Sequence, residues 1–489
     1  RPPWAAAAGE VTPWLWRGAL AAAVLGAAGW IANARVTRLG PPLTISRGEA
    51  ERIARAALTT RSVTLPAGAR ALVSVTVRPA DSDRFVWEKV GSKVYESLLG
   101  AYVPVPRWVV RFATFEGDVA ERAEEWICYV YGDGTVQRVR HHVPEARAAA
   151  TLSKDEARAR AHAVLRDRYG RDPATLTEVS ATSAKRPKRM DWTFVFKDPE
   201  VSAIAPGEGR ISVTLAGDEV TDSSRFVFLP EDWERAQRKL AGSFRTGGVI
   251  RTTFIAVLLL AGTAVAVVAL SRGRFATRMG LAIAGMLFTA TILMTLNRWP
   301  ALVAGFSTTR SYDLQRVTAA VAPLVGGLVM AAVFALVAGA AARWLRPPIA
   351  GLRRAAGFGC ALGWIAIGAL AIASAARGRA SPPWPSFGGA ATFVPWVSAS
   401  LGGITRYLAE TAVLLLFFGA IDRWSAGWTR RRVAVGALAV VAGAVLTLSN
   451  SAPDLASWLG SAALLGVAVL VFYAFALRHD LSVLPLVTG

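Results

Sequence analysis

Acidic residues are almost missing from more than half of this sequence. Outside residues 35–247, about 276 residues hold only six, Glu10, Asp313, Glu410, Asp422, Asp454 and Asp480, against 21 of the 55 Lys and Arg. Charge as a whole is sparse at 18%, with 53% hydrophobic residues and a mean hydropathy of +0.38, which excludes an ordinary soluble globular protein. Cysteine is nearly absent too. Cys128 and Cys360 lie in different blocks, which excludes a disulfide framework and a thiolate metal cluster. Histidine is limited to four residues. His141 and His142 are neighbours on a predicted strand and point to opposite faces, and His162 stands alone on a predicted helix, so no soluble metal site is expected.

What is present divides into two kinds of block. Residues 35–247 carry 34 basic and 28 acidic residues and read as water-soluble. The rest holds apolar runs from about Leu15 to Ala34, Val249 to Leu270, Met279 to Leu296, Val317 to Ala342, Ala355 to Ala376, Phe393 to Ile421, Val433 to Leu448 and Ala456 to Leu477. Most match the roughly 20 residues that a helix needs to cross a hydrocarbon core. About eight transmembrane helices are therefore expected. Trp14, Trp16 and Trp30 suit an interfacial anchor for the first run better than a cleaved signal peptide. The final run, Leu481 to Gly489, is too short to cross and reads as the start of a ninth helix. The sequence opens on Arg1, which reads as a trimmed N-terminus.

Arginine placement sets an expected orientation. Arg272, Arg274 and Arg278, then Arg343, Arg346, Arg353 and Arg354, then Arg423, Arg430, Arg431 and Arg432 mark alternate loops, and such loops face the cytoplasm; the loops between them are poorer, with Arg298 and Arg310, then Arg377 and Arg379. Residues 35–247 are then extracytoplasmic. That placement removes nucleic acid as a partner for the run Lys185-Arg186-Pro187-Lys188-Arg189, which reads as a solvated loop or a contact to lipid phosphates.

The soluble block repeats itself at an offset of 107 residues. ISRGEAERIARAAL from Ile45 to Leu58 matches LSKDEARARAHAVL from Leu152 to Leu165. Each opens with a capping box, Ser46 with Glu49 and Ser153 with Glu156, which satisfies free N–H groups at a helix start. An aromatic strand follows in each copy, Trp108 to Phe112 and Trp192 to Phe196, then a hairpin turning at Gly132-Asp133-Gly134 and at Gly217-Asp218. The expected fold is an α+β domain of two helix-plus-β-meander repeats attached to a polytopic α-helical bundle. The domains are 1–34 (an N-terminal span), 35–247 (the duplicated block) and 248–489 (a bundle of about seven helices).

Glu410 is the only carboxylate within the expected spans, and a charge there costs on the order of 2.5–3.5 kcal/mol. Two readings stand. Glu410 activates water as a general base, or it forms an internal ion pair with Arg406, one helical turn earlier, that locks helix packing.

The duplicated block resembles PepSY-type domains. The order of parts, with Phe226-Val-Phe-Leu-Pro-Glu-Asp-Trp233 closing the block, then Leu296-Asn-Arg-Trp-Pro-Ala-Leu-Val-Ala-Gly-Phe-Ser-Thr-Thr309 and Phe393-Val-Pro-Trp396, resembles the CPBP family of CAAX-processing and bacteriocin-processing intramembrane endopeptidases. The resemblance implies a Glu-Glu-x-x-x-Arg helix, a later Phe-x-x-x-His helix and a final helix with a second histidine. The first motif falls on Glu410, with Thr411 in place of the second glutamate and Leu415 in place of the arginine. The second falls near Asn450 and the third near Thr488, neither of them histidine; His479 sits at an expected cytoplasmic helix end. Without these groups no oxyanion stabiliser is evident. The resemblance thus implies a pseudo-protease that binds, as a scaffold or accessory subunit, the bilayer and another membrane protein, a complex or a peptide, with no cofactor. The alternative is an active endopeptidase using Glu410 as general base. A transporter is disfavoured by the apolar mid-membrane composition and the lack of an inverted repeat.

Overall fold

A computed structural model describes residues 13–34, 41–76, 78–342, 352–448, 452–477 and 481–489. The chain enters as helix α1 (Pro13–Ala34) and then builds the two repeats. The first is α2 (Arg47–Thr59), β1 (Arg70–Val75), two inserted helices α3 (Asp81–Lys89) and α4 (Ser92–Leu98), then β2 (Arg107–Ala113), β3 (Glu125–Tyr131) and β4 (Val136–His142). The second is α5 (Lys154–Tyr169), β5 (Thr177–Arg186), β6 (Arg189–Lys197), β7 (Glu208–Ala216) and β8 (Glu219–Phe228). Each set of four strands forms its own antiparallel meander, β1-β2-β3-β4 and β5-β6-β7-β8. The meanders thus have one strand more than the sequence patterns disclosed.

The duplication extends to individual contacts. Both capping boxes form, with Glu49 and Glu156 accepting from the backbone N–H of Ser46 and Ser153 at 2.8 Å. Hydrogen bonds from the capping serine hold both carboxyls below their usual range, chiefly the backbone N–H of Ser46 at Glu49 and the side-chain hydroxyl of Ser153 at Glu156. Ala50, Ala54 and Leu58 are buried on the first sheet, as Ala157, Ala161 and Leu165 are on the second. Trp108 donates its indole N–H to the Ile45 carbonyl at 3.2 Å, and Trp192 donates to Leu152 at 3.1 Å. Each tryptophan thereby ties a strand to the chain entering its helix. That chain also crosses closely over the hairpin glycine of its repeat, Pro42 over Gly132 and Ala149 over Gly217, where a Cβ would collide with it.

The repeats meet through side chains on β4 and β8. Arg138 pairs with Asp222, and Arg168 of α5 donates to the Gln137 carbonyl and to Ser223. His141 is buried and stacked on Trp126 at 3.8 Å, with Nδ1 2.6 Å from Glu219 and Nε2 2.9 Å from Glu124. Its bond to Glu219 holds that carboxyl low. His142, by contrast, is exposed on the other face. The basic run is not a solvated loop. It forms the end of β5, a tight turn and the start of β6, where Arg186 pairs with Glu145 and Asp191, while buried Arg189 donates to Asp191 and to the carbonyls of Pro144 and Arg147. Only Lys185, Pro187 and Lys188 are exposed.

The bundle comprises α6 (Glu231–Ser271), α7 (Thr277–Asn297), α8 (Trp299–Ala304), α9 (Tyr312–Ala341), α10 (Leu352–Arg377), α11 (Pro395–Trp424), α12 (Arg432–Thr447), α13 (Leu455–Phe472), a π-helical turn at Tyr473–Leu477, and α14 (Leu484–Thr488). The boundary expected at 247 falls inside α6, a single 41-residue helix that starts directly after β8 and runs into the bundle. Every expected span is helical. By length and hydropathy, six helices among the described residues can cross a membrane: α6, α7, α9, α10, α11 and α13. Arg17–Ala32 within α1 and Arg432–Thr447 are shorter apolar helices, so eight full spans are not shown. Val257, Leu260, Val267, Val325, Leu328 and Val329 are all more than half exposed, an outer surface suited to lipid. The protein is a helical membrane protein carrying a two-sheet domain.

Small residues allow the helices to approach, as expected where lipid and side chains are equally apolar. A Cβ on Gly368 would stand 2.5 Å from Gly26 Cα in the α1–α10 contact, and one on Gly443 would stand 2.9 Å from Gly466 Cα between α12 and α13. The two described Arg-rich loops lie at the end of the bundle away from the sheets. Phe275, beside Arg272 and Arg274, packs on Gly339 near the end of α9, and Trp428 packs on Tyr473.

The sheet domain is fastened to the opposite end. Arg111 is paired with Glu125 and donates to the carbonyls of Ala304 and Phe306, and Phe306 is buried with Leu72 and Phe115. Asn297 binds both backbone groups of Val394, at 2.9 and 2.7 Å. The segments Leu296–Thr309 and Phe393–Trp396, whose wording carries the family resemblance, are therefore joined.

Candidate functional site

A chamber of about 1060 Å³ opens among α6, α9, α10, α11, α12, α13 and α14. That is the upper end of the range for small-molecule sites, about 300–1,000 Å³. Its wall is apolar, built by residues such as Phe254, Phe334, Trp364, Phe417, Val469 and Phe472. The charged groups on it are three guanidinium groups, Arg251, Arg377 and Arg406, and one carboxylate, Glu410.

Helix register sets the depth of these groups. A Cβ on Gly262 of α6 would stand 2.8 Å from Leu416 of α11, and both helices run away from the sheet domain. Eleven residues, about three turns, before each lie Arg251 and Thr405, which puts Arg251 and Arg406 at nearly one level. Arg377 ends α10 nearer the sheet domain. The next residue, Gly378, approaches Pro453 just ahead of α13, whereas Gly247, one turn above Arg251, meets Trp458 in the second turn of that helix. Arg377 therefore lies nearer the sheet-domain end of the chamber than Arg251 and Arg406.

Arg406 donates its Nε–H to Glu410 at 2.7 Å. The pair forms, but it is not a packing lock: the side chains are 77% and 50% exposed, facing the chamber and not a helix interface. Arg406 also lines a second, smaller apolar cavity of about 290 Å³ beside α7 and α9, so it stands between two open spaces.

The other positions indicated by the family resemblance fall around this pair. Thr411 and Thr488 approach to 2.6 Å, and the Thr488 hydroxyl also lies 3.1 Å from the Leu484 carbonyl. With Thr488 donating to that carbonyl, Thr411 is the donor between the two hydroxyls. Thr488, like Glu410, lines the chamber. Leu415 points elsewhere, buried with Phe418, Ile421 and Leu484. Asn450 and His479 lie outside the described residues, as do Arg343 and Arg346. Among the described residues no group of three His, Cys, Asp or Glu side chains is placed to hold a metal ion.

Arg377 and Arg251 were not singled out from the sequence as site residues. Arg377 reads there as loop charge, and only helix packing turns it toward the chamber. Comparison of the chain with family models, curated proteins and solved structures returns no match.

Proposed function

We propose that the protein is a catalytically degenerate, CPBP-type membrane protein that binds a ligand or partner in its chamber and does not cleave it. The observation carrying this reading is the state of Glu410. Its carboxylate accepts from Arg406, the next residue contributes only a hydroxyl bonded to Thr488, and Leu415 is buried away from the chamber. A water nucleophile at Glu410 would meet a base already neutralised by a guanidinium, with no second carboxylate beside it. The joining of Asn297 to Val394 supports the family assignment, because it links two of the segments that resemble that family.

The same reading places the protein in a bacterial inner membrane, with the two sheets extracytoplasmic and about eight helices in contact with lipid. The two described Arg-rich loops lie at the end opposite the sheets, which fits that orientation. A peptidase is the second reading, favoured by the exposure of Glu410 to the chamber.

The test is incubation of purified protein, in detergent and in liposomes, with prenylated and unprenylated peptides and model transmembrane substrates, beside Glu410→Gln. No cleavage is expected. Cleavage by the parent that disappears in the variant would establish the peptidase instead.

A further inference from the structure

We infer that the chamber holds an anionic phospholipid, with its phosphate at Arg377 and its acyl chains running down the apolar wall toward Phe472 and Leu484. The inference rests on the binding reading above and names its ligand class. The volume suits a long-chain amphiphile, and most of the lining is aliphatic and aromatic. Such a wall cannot by itself select an occupant, because acyl chains are as well solvated by the surrounding bilayer as by these side chains. Selection must come from the polar groups. Of the three guanidinium groups on the lining, Arg406 is compensated by Glu410. Arg377 lines the chamber and makes no hydrogen bond or ion pair among the described residues.

Arg377 is partly buried and has no anionic partner among the described residues, so an anion beside it is favourable, and a phosphate matches its planar fork. The position of Arg377 suits a headgroup, because it closes α10 at the sheet-domain end, at the level of Pro453 just ahead of α13. An acyl tail entering there descends past the Arg406–Glu410 pair, which satisfies itself and needs nothing from the ligand.

The experiment uses the full chain reconstituted in vesicles of equimolar dioleoyl phosphatidylglycerol and dioleoyl phosphatidylcholine. The protein is then released into mild detergent, and bound lipid is counted by native mass spectrometry. Retained phosphatidylglycerol is expected in about tenfold excess over phosphatidylcholine, as one charge-assisted contact provides. Arg377→Gln should lower that excess to threefold or less, Arg377→Lys should keep part of it, and Arg379→Gln, which does not line the chamber, should leave it unchanged. Val413→Trp keeps every charge but adds bulk to the chamber wall, so it should lower the retention of both lipids while the protein stays folded by its melting temperature.

Equal retention of the two lipids, an unchanged excess in Arg377→Gln, or full displacement by millimolar inorganic phosphate would overturn the inference. Failure here with no peptide cleavage leaves the binding reading standing. Glu410-dependent cleavage defeats that reading whatever lipid is bound.

Discussion

Thr411 of α11 and Thr488 of α14 share a hydrogen bond of 2.6 Å across 77 residues of chain. It fastens the short terminal helix to the helix that bears Glu410, and so shapes one wall of the chamber. Both side chains are only partly buried, but neither hydroxyl would find water if lipid filled the space. The contact is therefore structural in kind, a hydroxyl pair where the family resemblance leads one to expect a carboxylate and an imidazole.

Thr411→Val and Thr488→Val should each destabilise the protein by about 0.5–1.5 kcal/mol. The double variant should cost little more than either single one, because the same bond is lost. Thermal melting of the purified protein in detergent measures all three. Fully additive losses would mean that the two hydroxyls do not interact.

The orientation predicts chemical accessibility. Lys188 is exposed at the turn between β5 and β6, so Lys188→Cys, in a chain whose exposed Cys360 is replaced by serine, should react with a membrane-impermeant maleimide in intact spheroplasts. Buried Cys128 supplies no background. Labelling only after lysis would reverse the orientation.

Asp83 predicts a pH dependence in the joint between the sheets and the bundle. Its carboxylate is buried, accepts from the Ala80 N–H and the Tyr95 hydroxyl at 2.8 Å each, and Tyr95 in turn accepts from the Trp384 indole at 2.9 Å. Burial raises Asp83 from 3.8 to about 6, against the lowering pull of these bonds and of Arg107. The folded state therefore holds a proton that the unfolded state has released. The Asp83 contribution to stability is full below about pH 4 and is lost as pH rises through 6, on the order of 2–3 kcal/mol. Asp83→Asn should remove this slope, although it weakens one of the two bonds. Urea unfolding followed between pH 4.5 and 7.5 tests it, and a slope that persists in the variant would assign the dependence to another group.

Several features were legible in the sequence because they are local. The apolar runs became helices because a chain in lipid must satisfy its backbone within each segment. Ser46 with Glu49, Ser153 with Glu156, and Arg406 with Glu410 lie one turn apart, so their contacts follow from helix geometry alone. The repeat was visible in its helices for the same reason. Its first strands were not: β5 is a largely exposed edge with little apolar alternation, and β1 is separated from β2 by two inserted helices. These helices pack Phe85 against Trp233 at the start of α6, a contact with no sequence periodicity to announce it.

The sequence by itself determined which segments form apolar helices, where the two sheet units begin, and that Glu410 has a cation within reach. Only the tertiary structure decided that this pair faces an open chamber, that Thr411 meets Thr488, that Arg377 turns from loop charge into a wall residue, and that His141 sits between carboxylates of both repeats. Each of these depends on the relative placement of elements far apart in the chain. Helix placement in lipid is set by close contacts such as Gly26 with Gly368 and Gly443 with Gly466, whose partners cannot be paired from spacing along the sequence.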